Sequence, residues 1–178
     1  MALGHVVDFC GKQLLPCVQH GSVTAGRKSD AGTEAQSRKL LNDEEYNEFS
    51  LYYINKIKAS LINKVVPLIY YIRETEKKIH ILKDIDIDVL GIDSSSNIGF
   101  IKNQIGNKYA LQGNLDVNVL KLNEKSMRES VENILRDYNS PSGHIFNLGT
   151  GITPDINPEK VKMLIDILAD ISPKYNVK

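Results

Sequence analysis

The chain has 178 residues and carries 22 basic against 22 acidic side chains, so its formal charge is zero. With the basic residues scattered among acidic ones, the electrostatic footprint of a nucleic-acid binder is missing. No apolar run approaches the roughly 20 residues that cross a bilayer, and the length allows one domain with a sizeable core, with or without a tail.

Residues 1–39 differ from everything after them. Gly, Ser, Ala, Gln, Lys and Arg dominate from Gly21 to Lys39 without apolar periodicity, which predicts a disordered segment. His5, Cys10, Cys17 and His20 invite a zinc reading, but the two cysteines are spaced too widely for a knuckle. Met1 to Pro16 lacks the charged start and continuous apolar segment of a secretory signal. The boundary falls at residue 40, and residues 40–178 form the folded unit.

Asn42 with Glu45 makes a capping box, and Tyr46, Phe49, Tyr53, Ile57 and Leu61 then fall on one predicted helical face. Val65 to Ile72 is a continuous apolar run, the mark of a strand covered on both faces, with Pro67 near its start. Arg73 and Glu74 follow, and a short helix runs through Ile79 and Leu82. Asp86 to Asp93 reads as a second strand, and Ser94, Ser95 and Ser96 offer N-caps for a helix through Ile98, Ile101 and Ile105. Lys108 to Leu115 reads as a third strand. Asn123 caps a helix marked by Met127, Val131, Ile134, Leu135 and Tyr138. His144 to Leu148 is a fourth strand that runs into Gly149-Thr150-Gly151, and Asn157-Pro158 opens a last helix with Val161, Leu164, Ile165 and Leu168 on its apolar face.

A helix followed by four strand–helix units predicts an α/β fold with a parallel sheet and right-handed crossovers. Two closures fit, an open doubly wound sheet or part of a (β/α)8 barrel. No glycine-rich fingerprint follows the first strand, which argues against a dinucleotide fold. A complete barrel takes about 250 residues and eight strands, so a barrel here would be half of one. Gly149-Thr150-Gly151 lies where α/β proteins hold ligands, beyond the carboxyl end of a strand, although such loops also serve as simple turns.

ALQGNLD (Ala110–Asp116) followed by GHIFNLGTGITPD (Gly143–Asp155) resembles the uroporphyrinogen decarboxylase family. With VPLIYYI, DVLGID and NPEKVKMLID the resemblance runs from about Leu41 to about Pro173. It implies the C-terminal half of a TIM-type (β/α)8 barrel of four β/α units. It implies decarboxylation of the four acetate side chains of uroporphyrinogen to give coproporphyrinogen, in haem biosynthesis, with no metal or organic cofactor. A tetrapyrrole substrate, no nucleic acid or membrane partner, a homodimer, and a cytoplasmic location (plastid in some lineages) belong to the same implication.

The departures are informative. The family's arginine motif, its ring-binding aspartate, its substrate-contacting tyrosine and a serine-bearing strand have no counterpart among these motifs, so no catalytic residue is assigned. Thr150 stands where the family has a substrate-contacting histidine, and threonine cannot carry charge near neutral pH. Arg73 stands where the family has lysine, and Val117 where it has proline. The substrate-binding candidates are therefore Thr150, Arg73, Gly149 and Gly151.

Each has a plainer alternative. Arg73 could pair with Glu74 or Glu76, the glycines could serve turn geometry, and Asp93, Asn114 and Asp116 could cap helices and shape loops. His80 reads as a surface residue. At the level of function, a truncated or degenerate homologue that pairs as a half-barrel without catalysis is the alternative. A cobalamin-linked methyltransferase on the same scaffold is disfavoured, because residues 42–178 contain no cysteine for a zinc site.

Overall fold

A computed structural model describes residues 41–60 and 67–175. The expectations placed on residues 1–39, including the zinc reading, lie outside the described residues, as do those for Leu61, Val65 and Val66.

Asn42 caps α1 (Asp43–Tyr46) with both arms of a capping box: its side chain accepts from the Glu45 N–H at 2.9 Å, and Glu45 accepts from the Asn42 N–H at 2.8 Å. A π-helical turn (Asn47–Leu51) then leads into α2 (Tyr52–Ser60). That turn changes which residues face the core. A five-residue turn inserts one residue and rotates the following face by about 100°. Tyr46, Leu51 and Ile54 therefore pack inward, whereas Phe49 and Tyr53, which the helical period places with Tyr46, are 59% and 53% exposed. The Tyr70 hydroxyl ties this helix to the sheet through the hydroxyls of Tyr46 and, at 3.0 Å, Ser50.

Four strands follow, β1 (Ile69–Ile72), β2 (Val89–Ile92), β3 (Ala110–Leu115) and β4 (His144–Leu148). They form one parallel sheet in the order β1-β2-β3-β4, each strand pairing with its neighbour in sequence. The helices between and after them are α3 (Thr75–Leu82), α4 (Ile98–Ile105), α5 (Glu124–Tyr138) and α6 (Pro158–Ile171), with a 3₁₀ turn (Val117–Lys121) ahead of α5. This is the expected α/β arrangement, four consecutive units of a TIM-type barrel. Among the described residues β1 and β4 each pair on one edge only.

The apolar alternation sends Tyr70, Ile72, Leu90, Ile92 and Leu111 toward the helices. There, with Ile79, Leu82, Ile98 and Ile101, they build one core. Leu115, Phe146 and Leu148 meet Leu120, Met127, Val131, Leu164, Ile167 and Ile171 in a second. Ile165 corrects the reading of the last helix: it is 60% exposed, and Ile167 and Ile171 take the buried positions beside Leu164 and Leu168. The opposite face of the sheet is less covered. Tyr71 and Asn147 are exposed there and Ile69 and Ile145 half-buried, so β1 is not enclosed on both sides as its apolar run predicts.

Asn97, Asn123 and Asn157 cap α4, α5 and α6 with side-chain oxygens on the N–H groups of Phe100, Ser126 and Glu159. The cap of α4 is thus Asn97 and not one of the three preceding serines. Glu74, between β1 and α3, has φ 53° and ψ 40°, the left-handed conformation that side chains other than glycine rarely take.

Candidate functional site

All four strands run the same way, so their carboxyl ends share one rim. Arg73, Asp93, Asp116 and Gly149 are the first residues beyond β1, β2, β3 and β4. The register pairs Asn114 with Asn147 and Leu115 with Leu148, which puts Thr150 on the rim that also carries Asn114 and Asp116. The two family-like motifs are therefore neighbours in space.

Asp93 organises the β2 side of this rim. Only 7% exposed, its carboxylate accepts from the Ser96 hydroxyl at 2.8 Å, from the Ser95 hydroxyl, and from the N–H groups of Ser95 at 3.3 Å and Thr75 at 3.4 Å. Burial alone would push its pKa up, but the serine hydroxyls and these N–H groups outweigh it and hold the carboxylate below its ordinary value. Asn114, also buried, donates from Nδ2 to the carbonyl oxygens of Asp93 at 2.9 Å and Ser96 at 2.6 Å. Asp116 accepts from the Asn118 N–H at 2.8 Å and caps the 3₁₀ turn. These three side chains shape the βα loops, and none is offered to a ligand.

Gly149 is required by close approach. A Cβ built there would lie 2.3 Å from the Ser94 backbone nitrogen and 2.8 Å from its Cα, so the β4 loop rests against the β2 loop with no room for a side chain. The loop is fixed further by the Gly149 N–H on the Leu115 carbonyl and by the Tyr71 hydroxyl on the Gly149 carbonyl, both at 2.8 Å. Gly151 is different: it is exposed, and a Cβ there would meet nothing within 4 Å. Thr150, half-buried, sits between the two. Among the described residues, the N–H groups of Thr150, Gly151 and Ile152 have no hydrogen-bond partner. Such a run of amides is suited to an anion.

Arg73 is exposed, and its expected partners are occupied elsewhere. Glu74 pairs with Lys77 at 3.1 Å, and a Glu76 carboxylate oxygen accepts from the Asn97 N–H at 3.0 Å. Among the described residues Arg73 makes neither an ion pair nor a hydrogen bond. His80, at the surface as expected, pairs with Asp43 at 2.6 Å.

Tyr71 is the rim-directed residue that sequence reasoning missed. It sits on the sheet face away from the helices, and its ring passes over Gly91 of β2 to reach the β4 loop. The signal, a Tyr in one strand facing a Gly in the next, becomes visible only once the register pairs Tyr71 with Gly91. His144, at the opposite end of β4, bonds through Nε2 to the Gly113 carbonyl at 2.8 Å and stacks on Tyr138 with ring centroids 4.6 Å apart. Among the described residues no three His, Cys, Asp or Glu side chains gather closely enough to hold a metal ion. A recess on the α1–α2 stretch, lined by Glu44, Asn47, Glu48, Tyr52 and Tyr53, includes none of the candidate residues.

A family model described as uroporphyrinogen decarboxylase matches residues 2–171. The chain is 37% identical over 141 residues to a uroporphyrinogen decarboxylase from Pseudoalteromonas translucida, covering 77% of this chain and 40% of that one. It is 36% identical over 140 residues to the one from Legionella pneumophila strain Paris, covering 78% and 40%. The chain therefore spans about 40% of the length of the curated relatives it matches. In structure it resembles a methyltransferase from Methanosarcina mazei with TM-score 0.60 at 17% identity, over 75% of this chain and 39% of that one, a likeness of fold alone.

Proposed function

Since the chain belongs to the uroporphyrinogen decarboxylase family, a family of carboxy-lyases, we propose that its rim takes part in decarboxylating the acetate side chains of uroporphyrinogen to give coproporphyrinogen. The observation that carries this reading is the Arg73 guanidinium, without a partner among the described residues, on the same rim as the N–H groups of Thr150, Gly151 and Ile152, which have none among them either. Two kinds of anion receptor at one rim suit a substrate edged with carboxylates.

Protonation of an electron-rich pyrrole next to an acetate makes the ring its own electron sink; loss of carbon dioxide leaves an exocyclic methylene, whose protonation gives the methyl group as the ring gives its added proton back. The protein has to hold the peripheral carboxylates, stabilise the cationic ring and supply the proton. Arg73 serves the first task as a two-pronged donor, and the loop amides serve it without carrying charge. Thr150 can donate one hydrogen bond but cannot deliver a proton as an imidazolium does. This chain's rim is thus a carboxylate receptor that needs an acid from elsewhere. A cytoplasmic location, plastid in some lineages, and dimerisation belong to the same proposal. Among the described residues, no helix is long and apolar enough to cross a membrane.

The test is a fluorescence titration of the chain with uroporphyrin, which has eight carboxylates, and with a dicarboxylic porphyrin, alongside chromatography of uroporphyrinogen incubations. Preference for the octacarboxylate with no turnover by the chain alone is expected. Equal affinity for both porphyrins would overturn the rim as receptor.

The alternative reading, a non-catalytic homologue that acts by pairing, draws on β1 and β4, each paired on one edge only among the described residues, and on the exposed Tyr71 and Asn147. Light scattering that found a well-folded monomer at high concentration would count against it.

A further inference from the structure

We propose that Tyr71 is a positioning residue for the Gly149-Thr150-Gly151 loop, a strap across the sheet that sets the direction in which the loop offers its amides. The proposal rests on the reading of the rim as a carboxylate receptor, but the geometry behind it does not. Tyr71 lies in β1 and Gly149, 78 residues on, just beyond β4, on opposite sides of the described sheet. The ring crosses β2 at Gly91, where a Cβ would stand 3.2 Å from the Tyr71 Cβ and 3.2 Å from its Cδ2. The missing side chain at Gly91 is what leaves room for the Tyr71 side chain against the strand. The hydroxyl then donates to the Gly149 carbonyl at 2.8 Å.

That carbonyl shares its peptide plane with the Thr150 N–H, and in a trans peptide the two point in opposite directions. Drawing the carbonyl toward Tyr71 therefore turns the Thr150 N–H away from the ring. The Gly149 N–H on the Leu115 carbonyl fixes the preceding peptide, so the loop leaves β4 pinned on both sides of Gly149. Without the hydroxyl the Gly149–Thr150 plane is free to rotate, because Gly149 has no side chain to restrain its dihedrals. Tyr71 acts on the receptor through Thr150 and need not touch the ligand.

Two variants of the full chain test this, Tyr71→Phe and Gly91→Ala. The first keeps the ring and loses the hydroxyl; the second keeps the hydroxyl and displaces the ring. Amide hydrogen exchange read residue by residue should show Gly149, whose own bond to the Leu115 carbonyl opens with the loop, exchanging about threefold to tenfold faster in both, the range expected when one further bond holding the loop is lost. The Ile145 amide, four residues back in β4, should not change. Uroporphyrin affinity should fall by a similar factor in Tyr71→Phe, measured where parent and variant are both fully folded; the urea midpoint falls slightly with the lost bond, and a purely structural role would stop there. Unchanged Gly149 exchange in both variants would overturn the strap. So would unaltered uroporphyrin affinity in Tyr71→Phe when the parent chain binds. Loosened exchange together with no uroporphyrin binding by the parent chain would support the strap and remove the porphyrin reading of the rim.

Discussion

Adding one methyl group at Gly149 should do far more harm than adding one at Gly151, two residues along the same loop. In Gly149→Ala the new Cβ would sit 2.3 Å from the Ser94 nitrogen and 2.8 Å from its Cα, so one of two backbones must move. Neither can yield by rotating a side chain. Overpacking of this kind costs about 1–3 kcal/mol. Movement of the β4 loop also stretches the Gly149–Leu115 and Tyr71–Gly149 hydrogen bonds, worth about 1 kcal/mol each when lost. A destabilisation of about 2–4 kcal/mol follows, and at this chain length each kcal/mol lowers Tm by roughly 2–4 °C. Differential scanning calorimetry should therefore place Gly149→Ala about 4–16 °C below the parent. Gly151→Ala, whose methyl meets nothing within 4 Å, should stay within about 0.5 kcal/mol of it. Equal melting temperatures for the two variants would refute the account of the β2–β4 contact and of why glycine is needed there.

Arg73→Ala should weaken uroporphyrin binding by about tenfold to a hundredfold, the worth of a charge-assisted hydrogen bond. Its urea midpoint should not move, because the guanidinium has no partner among the described residues to lose; a shifted midpoint would show a structural role. Glu74→Gly should raise stability by up to about 1 kcal/mol, since glycine takes the left-handed conformation at φ 53° without strain and the exposed Glu74–Lys77 pair contributes little. Burial of His144 against Tyr138 pushes its imidazole pKa below the ordinary 6.5, outweighing the bond to the Gly113 carbonyl, which pulls the other way. As pH falls through 6.5 the unfolded chain takes a proton the folded one refuses, so stability falls from there downward. Asp93 adds a second loss: its folded pKa lies below 3.8, so the stability it contributes is present above 3.8 and disappears as pH drops through the folded value. Urea midpoints measured against pH should show both steps, and His144→Phe should remove the upper one.

Local chemistry made much of this architecture readable. Asn42, Asn123 and Asn157 each announce a helix because the N-cap bond is made within three residues of the cap. The strands were legible as apolar runs bounded by Asp, Gly and Asn. Phe49 and Tyr53 were misplaced because a π-turn changes the helical period, and the composition of Asn47–Leu51 does not mark it. Ile165 was misassigned because Leu164, Ile165, Ile167 and Leu168 are all apolar, and only packing against α5 and the 3₁₀ turn decides which face is buried. The rim was half legible. Gly149 stood out as a glycine, but the reason for it lies in Ser94, 55 positions earlier. Arg73 stood out as a cation, yet its freedom depended on Glu74 and Glu76 having found Lys77 and the Asn97 amide. The Tyr71 contact spans the full width of the sheet and has no local signature.

Among the described residues, one partly buried side chain, Ile134 of α5, packs against both hydrophobic clusters. Cooperativity between the first two β/α units and the last two therefore runs through the β2–β3 ladder, the α4–α5 contact, the Asn114, Gly149 and Tyr71 contacts at the rim, and that isoleucine. Each half keeps its own apolar cluster, so one can open while the other stays closed, with its own opening free energy. Under mild denaturant the Met127–Leu168 cluster and the Leu82–Ile101 cluster should lose their protection at different concentrations. Trimming Ile134 to alanine should widen the interval between them.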